Sequence, residues 1–169
     1  MNRTLKVISI LLYFLLISSL SFAGEFKVVR VYDGDSITAK TGEKKIKVRL
    51  VGIDAPEKSR KKHELGQPFS QKTTEYLASL VLNKTITIKE YGTDRYGRIL
   101  GLVFINGTNV NLEMVKTGLA EVYRGRHAKG FDPKIYQDAE AEAVKEKRGM
   151  WVQGDKYISP RDWRRGRRN

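Results

Sequence analysis

The chain has 169 residues, with 32 Lys and Arg against 19 Asp and Glu, a net charge of +13 and a pI near 9.9. That excess is the footprint of a polyanionic partner, and the absence of cysteine excludes both a disulfide framework and a thiolate zinc site. Stability has to come from an apolar core, which a chain of this length can build.

The first residues read as an address. Arg3 and Lys6 flank the start of an apolar run from Val7 to Leu20, and Ser21-Phe22-Ala23 offers a small-x-small cleavage site. Cleavage after Ala23 is expected, on a Sec-type route to the periplasm or the medium, with no membrane attachment afterwards; the alternative is an uncleaved signal anchor. Loss of Arg3 and Lys6 takes +13 to +11. The chain thus divides into an export signal (1–23), one domain (24–155) and a basic C-terminal tail (156–169).

Phe26–Tyr32 and Ser36–Lys40 read as strands joined by Asp33-Gly34, a dipeptide suited to tight hairpins because Gly accepts positive φ. Ile46, Val48 and Leu50 alternate with Lys47 and Arg49, which puts Arg49 on the face opposite the apolar set. Arg49 and Asp54 have opposite parity, so they converge only if the chain bends, and Gly52 marks the place. The stretch Lys58–Gln67 is too charged for a core and reads as a mobile surface loop. Pro68 opens a helix carrying Phe69, Thr73, Tyr76, Leu77 and Leu80 at helical spacing, with Asn83 as its stop.

Thr85–Glu90 and Ile99–Ile105 form a second hairpin around a turn at Thr93–Gly97. Asn109 or Asn111 caps a short helix stopped by Gly118, and Asp132-Pro133 opens a third helix, closed by Gly149. Five strands with three helices among and after them suit a small closed barrel, an α+β fold, rather than an open sheet. The tail from Ser159 holds five arginines and Trp163 and reads as solvated charge that adds nonspecific affinity.

Charge interrupts apolar strands at Asp33-Gly34-Asp35-Ser36 and within Val48–Glu57. The turn explains Asp33. It does not explain Asp35, a second acid whose repulsion a cation would relieve. Asp35, Asp54, Glu57 and Arg49 could together hold a cation, supply a base for water and set positive charge around phosphoryl oxygens, which is what phosphodiester hydrolysis needs. All-oxygen donors favour a hard cation, Ca²⁺ ahead of Mg²⁺ or Mn²⁺, and the segment from Asp33 lacks the spacing of an EF-hand. His63 and His127 read as surface residues of polar loops.

The ordered set D-G-D-S (33–36), V-R-L-V-G-I-D-A-P-E (48–57), T-D-R-Y-G-R (93–98), V-N-L-E-M-V-K-T-G-L-A (110–120) and Gly149-Met150-Trp151 resembles the staphylococcal nuclease family across essentially the whole mature chain. The resemblance implies an OB-fold five-stranded barrel with three helices. It implies a secreted, Ca²⁺-dependent phosphodiesterase that cuts DNA and RNA with little sequence specificity, leaves 3′-phosphates and works as a monomer without a stable protein partner. It assigns Asp35, Asp54 and the Ala55 backbone carbonyl to one metal site, Arg49 and Arg98 to phosphate, and Glu57 to the general base. Arg95 and Tyr96 match substrate-contacting positions. Tyr123 stands alone, before Arg124-Gly125-Arg126, where the family's prototype has a closely spaced tyrosine pair for stacking. The alternative is a catalytically inert OB-fold module that binds nucleic acid, and such a module has no reason to keep Asp35, Arg49, Asp54, Glu57 and Arg98 together.

Overall fold

The computed structural model describes residues 24–59 and 63–166; the expected export signal lies outside them. Five strands form the barrel: β1 (Phe26–Asp33), β2 (Ser36–Thr41), β3 (Lys44–Leu50), and, past the two-residue β4 (Ile53–Asp54), β5 (Thr85–Thr93) and β6 (Ile99–Ile105). They run in the order β3-β2-β1-β5-β6, and a parallel β3–β6 pairing closes the ring. The period-2 pattern sets what points inward, so that Val28, Ile37, Val48, Ile86, Ile88 and Val103 are all buried. Two further short strands, β7 (Thr108–Asn109) and β8 (Glu121–Val122), pair with β6 and β4. At two residues each, β4, β7 and β8 are too short to leave a periodic signal.

Asp33 pairs with Ser36 across the first hairpin, and its Oδ1 accepts the Asp35 N–H at 3.2 Å, as a turn residue does. The expected reason for Gly34 is corrected, however, because its φ is not positive. Glycine is needed there for room: a Cβ would stand 2.0 Å from Thr73 Cγ2 and 2.7 Å from the Ala55 Cβ. The close approach lets the first helix, α1 (Ser70–Val81), pack beside the hairpin, with Leu77 and Val81 buried and Asn83 left-handed just past its end.

Asn109 is the residue that caps α2 (Val110–Lys116), its Oδ1 accepting the Leu112 N–H at 3.1 Å. Asn111 goes into the core instead. Its amide donates to Val51 O and Gly101 O at 2.9 and 3.1 Å and accepts the Val103 N–H at 3.0 Å, fastening the chain after β3 to β6. The third helix, α3 (Lys134–Lys145), buries Tyr136, Ala139 and Ala143.

Two readings of the polar segments change at particular residues. The loop after Glu57 ends in a buried anchor: Gln67 donates its N–H to Glu57 O at 2.8 Å, accepts the Glu57 N–H at 3.0 Å and donates from Nε2 to Ile158 O at 2.7 Å. The tail, read as solvated charge, is folded as far as it is described. A 3₁₀ run over Gly149–Lys156 leads to a further helix, α4 (Pro160–Gly166), beyond the three expected. Its start is a capping pattern: Ser159 Oγ accepts the Asp162 N–H at 3.0 Å and donates to the Asp162 carboxylate at 2.8 Å, with Pro160 at the first helical position.

Candidate active site

The site is built where β3 turns into β4. Gly52 has φ +80, and a Cβ there would stand 2.0 Å from the Phe131 ring. The turn breaks strand parity, so that Arg49 and Asp54 meet. Arg49 Nη2 donates to Asp54 Oδ1 at 2.7 Å, while Nη1 is ion-paired with Asp35 Oδ1. Register delivers the second contact, because Arg49 pairs with Ser36, the residue after Asp35.

Asp35 and Asp54 are each 1% exposed. Asp35 also accepts from Ser36 Oγ at 2.8 Å and from the Ala55 N–H at 3.0 Å. Burial raises the Asp35 carboxyl well above its usual range; Arg49 pulls the other way, and the neighbouring Asp33 and Asp54 charges add to the rise. Burial also works against the Arg49 charge, but the Asp35 and Asp54 carboxylates outweigh it and hold the guanidinium protonated more firmly than usual. Arg49 is therefore the counter-charge on which Asp35 depends, and it pairs with Asp54 as well.

Glu57 and Arg98 face a cavity of about 570 Å³ that is also lined by Arg30, Tyr32, Ser36 and Lys47. Arg98 is steadied by Asp94, to which Nε donates at 2.8 Å, and it directs Nη1 at Ser36 Oγ, 3.4 Å away. Burial works to raise the Asp94 carboxyl, but hydrogen bonds from Arg98 and the Tyr96 backbone hold it below its usual value. Through Ser36 the two arginines thus reach the same carboxylate, Asp35.

The aromatic residues divide. Tyr96 is two-thirds exposed, takes a hydrogen bond from Arg95 Nη2 at 2.8 Å, and has the Arg95 and Arg98 guanidinium carbons 4.9 and 5.6 Å from its ring centre. Tyr123 is not among the residues lining the cavity; its N–H donates to Gly52 O at 2.9 Å and its ring packs edge-on against His127. His127, expected at the surface, is half-buried between Tyr123 and Phe131. The cavity's own aromatic wall is Tyr32, with Arg30 stacked 4.5 Å from its ring centre, and its one sequence signal is a position directly before Asp33-Gly34-Asp35.

A side chain at this cluster that sequence reasoning missed arrives from α4. Arg164 Nη2 donates to Asp54 Oδ2 at 2.6 Å, and its Nη1 donates to Asp54 Oδ1 at 3.1 Å and to Glu57 Oε1 at 2.5 Å. The capping pattern Ser159-Pro160-Arg161-Asp162 could have announced the helix that carries it, though not its direction.

Across the β4–β8 pair from Asp54 lies Glu121, 1% exposed. Tyr157 Oη donates to Glu121 Oε2 at 2.6 Å, and Oε1 has no hydrogen-bond partner among the described residues. Burial pushes this carboxyl up to about 7, with Tyr157 and Arg124 pulling down and Asp54 and Glu140 adding to the rise. The folded protein holds that proton more tightly than the unfolded chain, whose Glu titrates near ~4.3. Its contribution is therefore full below that pH and is lost as pH rises to about 7. Glu121→Gln is expected to flatten the fall in stability over this window, by on the order of 3 kcal/mol at pH 8 in denaturant unfolding. Parallel pH profiles for the two proteins would contradict it.

The family model described as Staphylococcal nuclease homologue matches residues 47–153. A Haemophilus influenzae protein named "Uncharacterized endonuclease" is 40% identical over 166 residues, covering 97% of this chain and 86% of its own. An Escherichia coli protein of the same name is 40% identical over 139 residues, 82% of this chain and 83% of its own. A "Micrococcal nuclease" of Shigella flexneri is 36% identical over 157 residues, 88% of this chain and 83% of its own.

Proposed function

The chain belongs to the staphylococcal nuclease homologue family and is a nuclease; from that premise we propose that it is an exported, Ca²⁺-dependent hydrolase of DNA and RNA phosphodiesters that leaves 3′-phosphate ends. The observation that carries this reading is the joining of Asp35, Arg49, Asp54 and Glu57 in one ion-paired cluster, beside a cationic cavity that holds Arg98.

Among the described residues no three His, Cys, Asp or Glu side chains are gathered closely enough to hold a metal ion. The donor chemistry nonetheless fits one. Asp35 and Asp54 are buried acids whose charge is met by guanidinium groups, and with the Ala55 carbonyl they make an all-oxygen set that a hard divalent cation can complete with water. Bound there, the cation would make water more acidic and neutralise charge on the phosphoryl group.

The chain's own residues carry the remaining roles. Glu57 takes a proton from the attacking water. As the water oxygen bonds to phosphorus, the P–O5′ bond breaks and the 5′-oxygen leaves, taking up a proton from solvent while Glu57 returns its own to solvent, so the phosphate stays on the 3′ side. Arg49 and Arg98 donate to the phosphoryl oxygens as negative charge builds on them, a task suited to a planar fork that stays charged at any working pH. For Arg49 this means giving up a carboxylate it now holds. Tyr32 and Tyr96 offer faces on which bases can stack without regard to sequence. The purified protein is expected to degrade DNA and RNA with Ca²⁺ and to stop on chelation, with binding that weakens steeply as salt rises. Metal-independent binding without cleavage would replace this reading with the inert module.

A further inference from the structure

The position of Arg164 asks for an explanation that a basic tail does not supply. Its guanidinium spans Asp54 and Glu57, so Asp54 Oδ1 is shared by Arg49 and Arg164, and its Oδ2 is held by Arg164 as well. Its side chain is only 35% exposed.

The helix that delivers it is anchored. Ser159 and Asp162 cap its start, Pro160 is buried, and Ile158 is tied by Gln67 to the same loop that carries Glu57. The two other described arginines of α4 are placed differently: Arg161 and Arg165 line a separate cleft with Glu121, Trp151 and Tyr157, and Arg165 lies 3.7 Å from Asp162. Arg164 alone among these three reaches the cluster of acids.

We propose that Arg164 is the resident cation of the metal subsite: it neutralises Asp54 and Glu57 in the metal-free chain, and a divalent cation binds by displacing it. The inference rests on the metal reading of the site. Its physical basis is that a carboxylate already filled by two guanidinium groups cannot also ligate a divalent ion without losing one, and that two cations on one buried acid repel. The metal affinity of the intact chain is then lower than the donor set alone would give, and α4 is the part of the fold that sets it.

Calorimetric titration of CaCl₂ into the full chain reads this directly, without a cleavage assay. Releasing a charged hydrogen-bonded partner should weaken binding by ~10- to 100-fold, so Arg164→Ala is expected to bind Ca²⁺ tighter by about that factor. Arg164→Gln, which keeps much of the stem, should do the same. Arg165→Ala removes an equal charge from the same helix and should leave the affinity within about twofold, because its guanidinium does not touch the acids. If the parent binds Ca²⁺ and neither Arg164 variant binds it tighter, or if Arg165→Ala tightens it equally, the inference falls and the metal reading stands. If no protein in the series binds Ca²⁺, both fall.

Discussion

Arg49→Ala is expected to lower the rate of phosphodiester cleavage by at least ~10²- to 10³-fold, the usual cost of removing one preorganised contact to a transition state. The structure adds a second consequence that tells this variant apart from an ordinary loss of a phosphate contact. Arg49 is the bridge between two acids that are each 1% exposed, and its removal leaves Asp35 without the guanidinium that offsets its burial. Breaking a buried pair from one side costs about 3–5 kcal/mol, so the metal-free variant should unfold at markedly lower denaturant. Added Ca²⁺ should recover much of that loss, since a ligand that binds only the folded state stabilises it by mass action. Arg49→Lys separates the effects: a point charge can stabilise the acids in part but cannot fork onto phosphate, so stability should return further than rate. A rate near that of the parent in Arg49→Ala would remove this residue from the chemistry.

Glu57→Gln is expected to cost ~10²- to 10⁴-fold in rate, the range of general base catalysis, while nucleic-acid affinity stays near that of the parent. The fold should tolerate it. Glu57 is only half-buried, and its backbone contacts to Gln67 do not depend on its charge. If Glu57 only orients the water, the neutral amide should retain most of the rate, and that outcome would reassign it.

Much of the site was legible because its signals are local. Asp35 stands next to a turn that does not need it, and Arg49 sits opposite the apolar face of its strand. The parity conflict between Arg49 and Asp54 pointed to a bend at Gly52, where φ is +80. Other features were hidden because their causes are tertiary. Gly34 is glycine because α1 and Ala55 crowd it, a contact between segments about 20 and 40 residues away that no turn rule contains. Gln67 sits in a charged stretch yet is buried, because it answers backbone groups of Glu57 and Ile158 at once. Asn111 had the chemistry of a cap and was drawn into the core, where its amide meets the Val51 and Gly101 carbonyls and the Val103 N–H beside β6.

Arg164 is the clearest case of this kind. Five arginines in the last eleven residues look like solvated charge when read by composition, and the capping motif at Ser159 announces only that a helix begins. Which of those arginines turns inward depends on where the helix docks, and that is set by the contacts of Gln67, Tyr157 and buried Pro160 rather than by the charge of the tail.

The measurement that bears most directly on the account is the cleavage of defined single- and double-stranded DNA and RNA by the purified chain, with Ca²⁺ and with chelator, and with product ends identified by mass spectrometry. The expected result is cleavage of all four substrates in Ca²⁺ alone, giving fragments with 3′-phosphate and 5′-hydroxyl ends. Fragments ending in 3′-hydroxyl groups, or tight binding of every substrate with no cleavage in Ca²⁺, would contradict it.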